Sequence, residues 1–189
     1  MSVDIRERTR DAVRGQLAEL AFNYFLANGF DESTVDEAAK AAGISRATYF
    51  RYFSTKEDAV IVAMQSSDLD YGAVLRDLEL RPDESWLALL RRVFEPTVEA
   101  TELNPARVRA KVSMITAIPS LRAHLLERRR VQEDHLIATV SERLADALTA
   151  KVLVVAALAV VDLAWREWAA DPEASFRELL DGAFTRLAD

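Results

Sequence analysis

A chain of 189 residues, half of them hydrophobic and 29% charged, suits one compact unit or a small head on a larger body and excludes the composition of disorder. Only five Gly and five Pro punctuate it, so helix is the default state, and the absence of Cys removes disulfides, thiolate zinc sites and cysteine nucleophiles, as suits a reducing cytoplasm. A net charge of −7 argues against a nucleic-acid partner, yet residues 1–57 carry eight basic and nine acidic side chains, so −6 of the −7 lies beyond a nearly neutral N-terminal part.

Met1–Arg10 is charged and lacks an apolar core, so it does not read as a secretory signal. A first helix is predicted from about Asp4 to Asn28, with Val13, Leu17, Leu20, Ala21, Tyr24 and Phe25 as its apolar stripe. Gly29 ends it, and Phe30 can fold back onto Phe25. Thr34-Val35-Asp36-Glu37 is a capping box that opens a second helix, whose inward face is Val35, Ala38, Ala39 and Ala42. Gly43 breaks it, and a short third helix runs from Ser45 to about Tyr52. A fourth is capped by Thr55-Lys56-Glu57-Asp58. Val60, Met64, Ser67, Tyr71, Val74 and Leu78 extend its periodicity as one connecting helix, about 35 Å long.

Arg81-Pro82-Asp83 marks a boundary. A helix from about Glu84 to Ala100 is predicted to bend at Pro96, which donates no backbone hydrogen bond. Asn104-Pro105 opens the next helix, and Pro119 separates it from a long one ending near Leu148. An apolar helix over Lys151–Ala170 and a last helix capped by Ser175-Phe176-Arg177-Glu178 complete the count. The run Val152–Val161 is shorter than the roughly 20 residues a bilayer span needs. The fold class is all-α with nine helices and no repeat, divided into residues 1–54, a connecting helix over 55–80, and 81–189.

Two short helices joined by Ala41-Ala42-Gly43-Ile44-Ser45, with a longer helix in front, have the shape of a helix-turn-helix. With Tyr49 and Phe53 facing the three-helix core, Ala47, Thr48 and Arg51 point away, flanked by Phe50 and Tyr52. Ser45, Ala47 and Thr48 are small enough for close approach to base edges. Residues 45–56 hold Arg46, Arg51 and Lys56 and no acid, and the two arginines can reach guanine or phosphate. Thr34 and Lys56 stand at helix N-termini, where backbone N–H groups favour phosphate. Arg6, Arg8 and Arg10 read equally as a minor-groove arm or as a plain helical surface, with Asp4, Glu7 and Asp11 between them.

The series Arg14-x-x-Leu17-x-x-Leu20-Ala21-x-x-Tyr24-Phe25-x-x-x-Gly29-Phe30, Thr34-Val35-x-x-Ala38-Ala39-x-x-Ala42-Gly43-Ile44-Ser45 and Tyr49-Phe50-x-Tyr52-Phe53-x-x-Lys56-Glu57 resembles the TetR-family N-terminal domain. The resemblance implies a nine-helix homodimer: three helices on double-stranded operator DNA, the last two in a four-helix bundle with a twin, and a ligand cavity between. It places Arg46, Ala47, Thr48, Phe50 and Arg51 at or beside base-reading positions, and Thr34, Tyr52 and Lys56 at phosphate-clamping ones. Three residues depart from the family pattern: Ala38 replaces a larger aliphatic, Tyr49 a common Leu, and Phe50 a frequent Tyr whose hydroxyl it lacks. Farther on, Arg107-x-Arg109 and Pro119-Ser120-Leu121-Arg122-Ala123-His124 resemble the C-terminal domain of mycofactocin-regulator-type proteins, which implies a small lipophilic effector such as an acyl thioester.

Trp86, Phe94, Met114, Trp165 and Trp168 read either as the lining of a cavity for such an effector or as core, and His124 is the better placed of two histidines to donate to a ligand. His124 and His135 lie roughly 16 Å apart along one helix, too far to share a metal, so neither metal nor cofactor is expected. Arg128-Arg129-Arg130 reads as a solvated face. The apolar helix is hydrophobic on all sides, which favours pairing with a second copy, with burial in the domain core alone as the alternative. Val154, Leu158, Val161 and Trp165, with Phe176, Leu180 and Phe184, are the interface candidates. The resulting expectation is a cytoplasmic regulator released from a pseudo-palindromic operator by its effector, with no catalytic residues. A helical interaction module without DNA function is the alternative, ahead of an all-α enzyme.

Overall fold

The computed structural model describes residues 5–64 and 69–188, except for the side chains of residues 5, 7 and 8. Eleven helical segments and no strand occur among the described residues: α1 (Ile5–Asn28), α2 (Val35–Ala41), α3 (Arg46–Tyr52), α4 (Lys56–Met64), α5 (Tyr71–Asp77), α6 (Trp86–Val93), α7 (Glu95–Leu103), α8 (Pro105–Ala117), α9 (Pro119–Arg143), α10 (Ala147–Ala170) and α11 (Phe176–Ala188). They form two compact units. The first holds the described residues up to Met64 with Ala117–Leu125, the second Leu69–Thr116 with Leu126 onward.

In the first unit, α1 packs on α4 and α2, and α2 on α3. Ala18, Ala21, Phe22, Phe25, Ala38, Ala39, Tyr49, Phe53 and Ile61 are buried there. The α1 stripe is rotated from the one expected: Phe22 is buried, while Leu20 is 45% exposed. Both positions carry a large apolar side chain, and the neighbours α2 and α4 take the face centred on Phe22. Gly29, at φ 84°, lets the chain reverse so that Phe30 sets its ring edge-on to Phe25 at 5.3 Å.

The second unit joins α10 to α11 and α6, and α6 to α5, α7 and α11. Two expected helices are each broken in two. Between α4 and α5, Asp70 is extended (φ −79°, ψ 100°) and caps α5 by accepting from the Gly72 N–H. The connecting helix expected over 55–80 is therefore not continuous, and Ser67 of its expected stripe lies outside the described residues. An Asx cap competes with helix continuation, which periodicity alone does not register. The predicted bend at Pro96 is a full break at Phe94, two residues earlier, because Pro prefers the first turn of the new helix α7. The α9–α10 boundary likewise falls earlier than expected: Asp146 accepts from the N–H groups of Leu148 and Thr149, so α10 begins at Ala147.

Candidate nucleic-acid interface

The turn between α2 and α3 is built by backbone chemistry. Gly43 takes φ 72°, its N–H donates to the Lys40 carbonyl, and the Ile44 N–H reaches back to Ala39. This is a complete Schellman ending, which favours glycine at that position. The capping box forms as expected: Glu37 N–H donates to Thr34 Oγ1, while Thr34 N–H and hydroxyl both donate to Glu37 Oε2 at 2.8 Å. The Thr34 backbone N–H, then its hydroxyl, hold the Glu37 carboxyl below the usual range. Ser45 caps α3, accepting from the Thr48 N–H at 3.1 Å and donating to its hydroxyl at 3.0 Å.

Tyr49 and Phe53 are buried, with ring centroids 5.0 Å apart, and they fix the rotation of α3. The outward face carries Ser45, Arg46, Ala47, Phe50 and Arg51, all exposed, with Thr48 half-buried between them. Each arginine lies on a ring: Arg46 Cζ is 5.3 Å from the Phe50 centroid, Arg51 Cζ 5.4 Å from that of Tyr52. Arg46 Nη1 also pairs with Asp36 Oδ1 at 2.7 Å, across the turn. Sequence reasoning missed Asp36, since a ten-residue separation follows no helical spacing.

The flanking candidates are more committed to the fold than expected. The hydroxyl of Thr34, although exposed, serves Glu37. Lys56 Nζ donates to the carbonyls of Phe30 at 2.8 Å and Ser33 at 3.4 Å and lies 4.3 Å from the Phe30 ring centroid. The half-buried Tyr52 accepts from Arg14 Nε at its carbonyl, and Arg14 Nη2 pairs with the buried Asp58. Arg6 and Arg10 are exposed on α1, which is already helical there, and Arg8 lies outside the described side chains.

In the second unit, buried Phe94 meets Tyr71 at 4.9 Å and Phe184 at 6.1 Å. Trp165 instead stacks on Phe176 at 4.2 Å, beside Trp168. Trp86 and Met114 are half-buried in the same unit; His124 is half-buried in the segment that belongs to the first. Arg129, expected on a solvated face, is half-buried and paired with Asp162. Desolvation lowers the affinity of its guanidinium for its proton, partly offset by Tyr71. Tyr71 in turn shares a hydrogen bond with Thr97 at 2.9 Å.

Val154, Val161, Trp165, Phe176, Leu180 and Phe184 are buried inside one chain, and Leu158 is half-buried. Periodicity identifies residues that share a face, but not which face meets the protein's own core. The outward apolar stripe of α10 is Leu148, Val152, Val155, Ala159 and Leu163, of which Leu148 is 71% and Val152 59% exposed. With 24 residues, α10 is long and apolar enough to cross a membrane by length and composition, which the shorter run counted from sequence did not register.

Residues 17–61 match the family model of bacterial regulatory proteins of the tetR family, and residues 84–189 match that of the MftR C-terminal domain. The HTH-type transcriptional regulator TcmR of Streptomyces glaucescens is 28% identical over 177 residues, 87% of this chain and 76% of the relative. MftR of Mycobacterium tuberculosis is 26% identical over 185 residues, 94% of this chain and 90% of its own. Among solved structures, the transcriptional regulator FadR from Bacillus subtilis in complex with stearoyl-CoA shares the fold, with a TM-score of 0.60 at 17% identity, over 91% of this chain and 96% of that one. The chain therefore belongs to the tetR family of bacterial transcriptional regulators, with a C-terminal domain of the MftR type, and is not an enzyme.

Proposed function

We propose that this regulator is a cytoplasmic repressor that binds a pseudo-palindromic operator as a homodimer and is released by a small lipophilic effector. The observation that carries the reading is the outward face of α3: small Ser45, Ala47 and Thr48, bordered by two arginines laid on aromatic rings. That face suits a major groove, where Arg addresses guanine and small side chains permit close approach. Thr34, Tyr52 and Lys56 border it as phosphate contacts, with Thr34 and Lys56 shared between DNA and the fold.

Pairing is supported by the outward stripe of α10, whose residues recur at four- and three-residue spacing while the opposite face packs on α6 and α11. Seven of the 24 residues of α10 are buried in its own unit, and a second copy fits the exposed stripe. The effector reading draws on the stearoyl-CoA complex of the FadR neighbour and on the aromatic residues of the second unit, Phe94 and Trp165 among them. Effector binding there would change the separation of the two α3 helices, and heads at the wrong spacing cannot both enter successive major grooves.

The test is a mobility-shift titration with the DNA upstream of the protein's own coding sequence. Binding that weakens with salt and disappears in the Arg46→Ala/Arg51→Ala double variant supports the reading. Binding by that double variant as tight as wild type, or none by the intact protein, favours a helical interaction module.

A further inference from the structure

Arg46 is one of two exposed cations on α3, and it is already engaged. Its Nη1 donates to Asp36 Oδ1 at 2.7 Å, and its guanidinium lies 5.3 Å from the Phe50 ring centroid. Asp36 sits in the first turn of α2, next to Glu37, whose carboxylate is absorbed in the cap with Thr34. The Asp36 carboxylate is therefore the one that faces across the turn. A guanidinium carries five N–H groups in a planar fork, so with Nη1 on Asp36 the remaining donors can still address a two-point acceptor. The major-groove edge of guanine, with O6 and N7, is such an acceptor.

We propose that Asp36 is a specificity-determining residue of this regulator, acting through Arg46: it fixes the guanidinium plane for one guanine and cancels its charge toward the phosphate backbone. The inference rests on the DNA-binding reading above. Phosphate contact is a matter of net charge and carries no sequence information. An arginine neutralised by a neighbouring carboxylate contributes little to it. Guanine recognition depends on two aligned hydrogen bonds, which a carboxylate on one edge and an aromatic ring beneath both help to orient. Asp36 therefore depresses indiscriminate binding while preserving the specific contact. Both partners are more than half exposed, 63% for Arg46 and 60% for Asp36, so the pair is open to DNA without rearrangement of the core.

Removing the carboxylate frees one cation. A further phosphate contact steepens the dependence of log K on log salt by about 0.9, which corresponds to roughly eightfold tighter non-specific binding at 0.1 M salt. The experiment compares full-length wild type, Asp36→Ala and Asp36→Asn on a duplex selected from a random library by the wild type and on a scrambled duplex of equal length. Asp36→Ala is expected to bind the scrambled duplex about eightfold more tightly with the steeper slope, gain nothing on the selected one, and lose preference at one G·C pair per half-site. Asp36→Asn, which keeps the acceptor without its charge, should fall between. In an Arg46→Ala background the Asp36→Ala effect should vanish, because the carboxylate acts through that arginine. An unchanged ratio of the two affinities, or an equal gain in the Arg46→Ala background, overturns the inference while leaving DNA binding intact. Failure of the wild type to enrich any sequence overturns the DNA-binding reading itself, and this inference with it.

Discussion

Tyr49 offers a sharp test of how the recognition helix is held. Its side chain is 0% exposed, and its hydroxyl has no hydrogen-bond partner among the described residues. A buried hydroxyl without a partner costs about 1–3 kcal/mol. Tyr49→Phe removes that cost and keeps the ring against Phe53 and Phe50. Allowing for the small hollow left by the oxygen, the variant should be more stable by about 1 kcal/mol, a rise of roughly 2–4 °C in melting temperature for a chain of this size. There is also a signature in pH. Burial first, then Asp58 and Glu57, raise the Tyr49 phenol well above its ordinary value of about 10. Below that value both the folded and unfolded forms are neutral, and the group adds no pH dependence. Above it the unfolded chain ionises and the folded one does not, so stability falls as pH rises. Denaturant melts of wild type and Tyr49→Phe between neutral pH and the alkaline range should diverge further above about pH 10. The variant should also bind DNA as wild type does, since Tyr49 points inward. A variant less stable than wild type at neutral pH, or one that weakens with alkali just as steeply, would refute the reasoning.

The remaining predictions concern backbone and packing. Gly15, mid-helix in α1, has nothing within 4 Å of an added Cβ, so Gly15→Ala should stabilise by about 0.5–1 kcal/mol in a thermal melt. At Gly72 the same methyl would lie 2.9 Å from Thr139 Oγ1 and 3.3 Å from the His135 carbonyl, so Gly72→Ala should instead destabilise by about 1–3 kcal/mol. Arg109 lies 4.0 Å from the Trp168 ring centroid and donates to the carbonyls of Trp168, Asp171 and Pro172. Arg109→Ala leaves these α10-terminal carbonyls without that donor, and a loss of about 2 kcal/mol with altered Trp fluorescence is expected. Val152→Glu, on the outward stripe of α10, should give a folded monomer in sedimentation, whereas Val154→Glu, buried in its own unit, should give an unfolded chain by circular dichroism.

Those contrasts trace what a sequence can and cannot disclose here. Several caps and turns are legible because they are local: Thr34 with Glu37, Gly43 before Ile44, Ser45 and Ser175 each act at the positions their residue types suggest, whereas the Asp70 and Asp146 caps do not stand out from the helical periodicity around them. The inward turn of Tyr49 and Phe53 was legible for the same reason, since a seven-residue helix has few ways to bury two rings. Choices between equally apolar faces were not. Phe22 against Leu20 on α1, and Val154 against Val152 on α10, are decided by neighbours far along the chain, to which a 3.6-residue period is blind. Contacts across a turn, such as Asp36 with Arg46, share no period at all. A place at a helix start points Lys56 to DNA, yet its reach to the Phe30 and Ser33 carbonyls depends on how the α1–α2 turn folds back.

The near neutrality of residues 1–57 then acquires a physical consequence. A regulator that relied on bulk charge to hold DNA would carry an excess of cations on its head; this one carries eight basic against nine acidic side chains. Several of those cations are spoken for inside the fold: Arg14 by Asp58, Arg46 by Asp36, and Lys56 by two carbonyls. Arg51, resting on Tyr52, is exposed beside them. Under the regulator reading, affinity must then come from placed contacts repeated in two half-sites rather than from counterion release. Non-specific binding should be weak, and the salt slope shallow for the area covered. Under the same reading, a head of this kind would lose its operator when the spacing of its two copies changes, because one half-site alone would supply little electrostatic attraction, and this is the behaviour the proposed effector-released repressor requires.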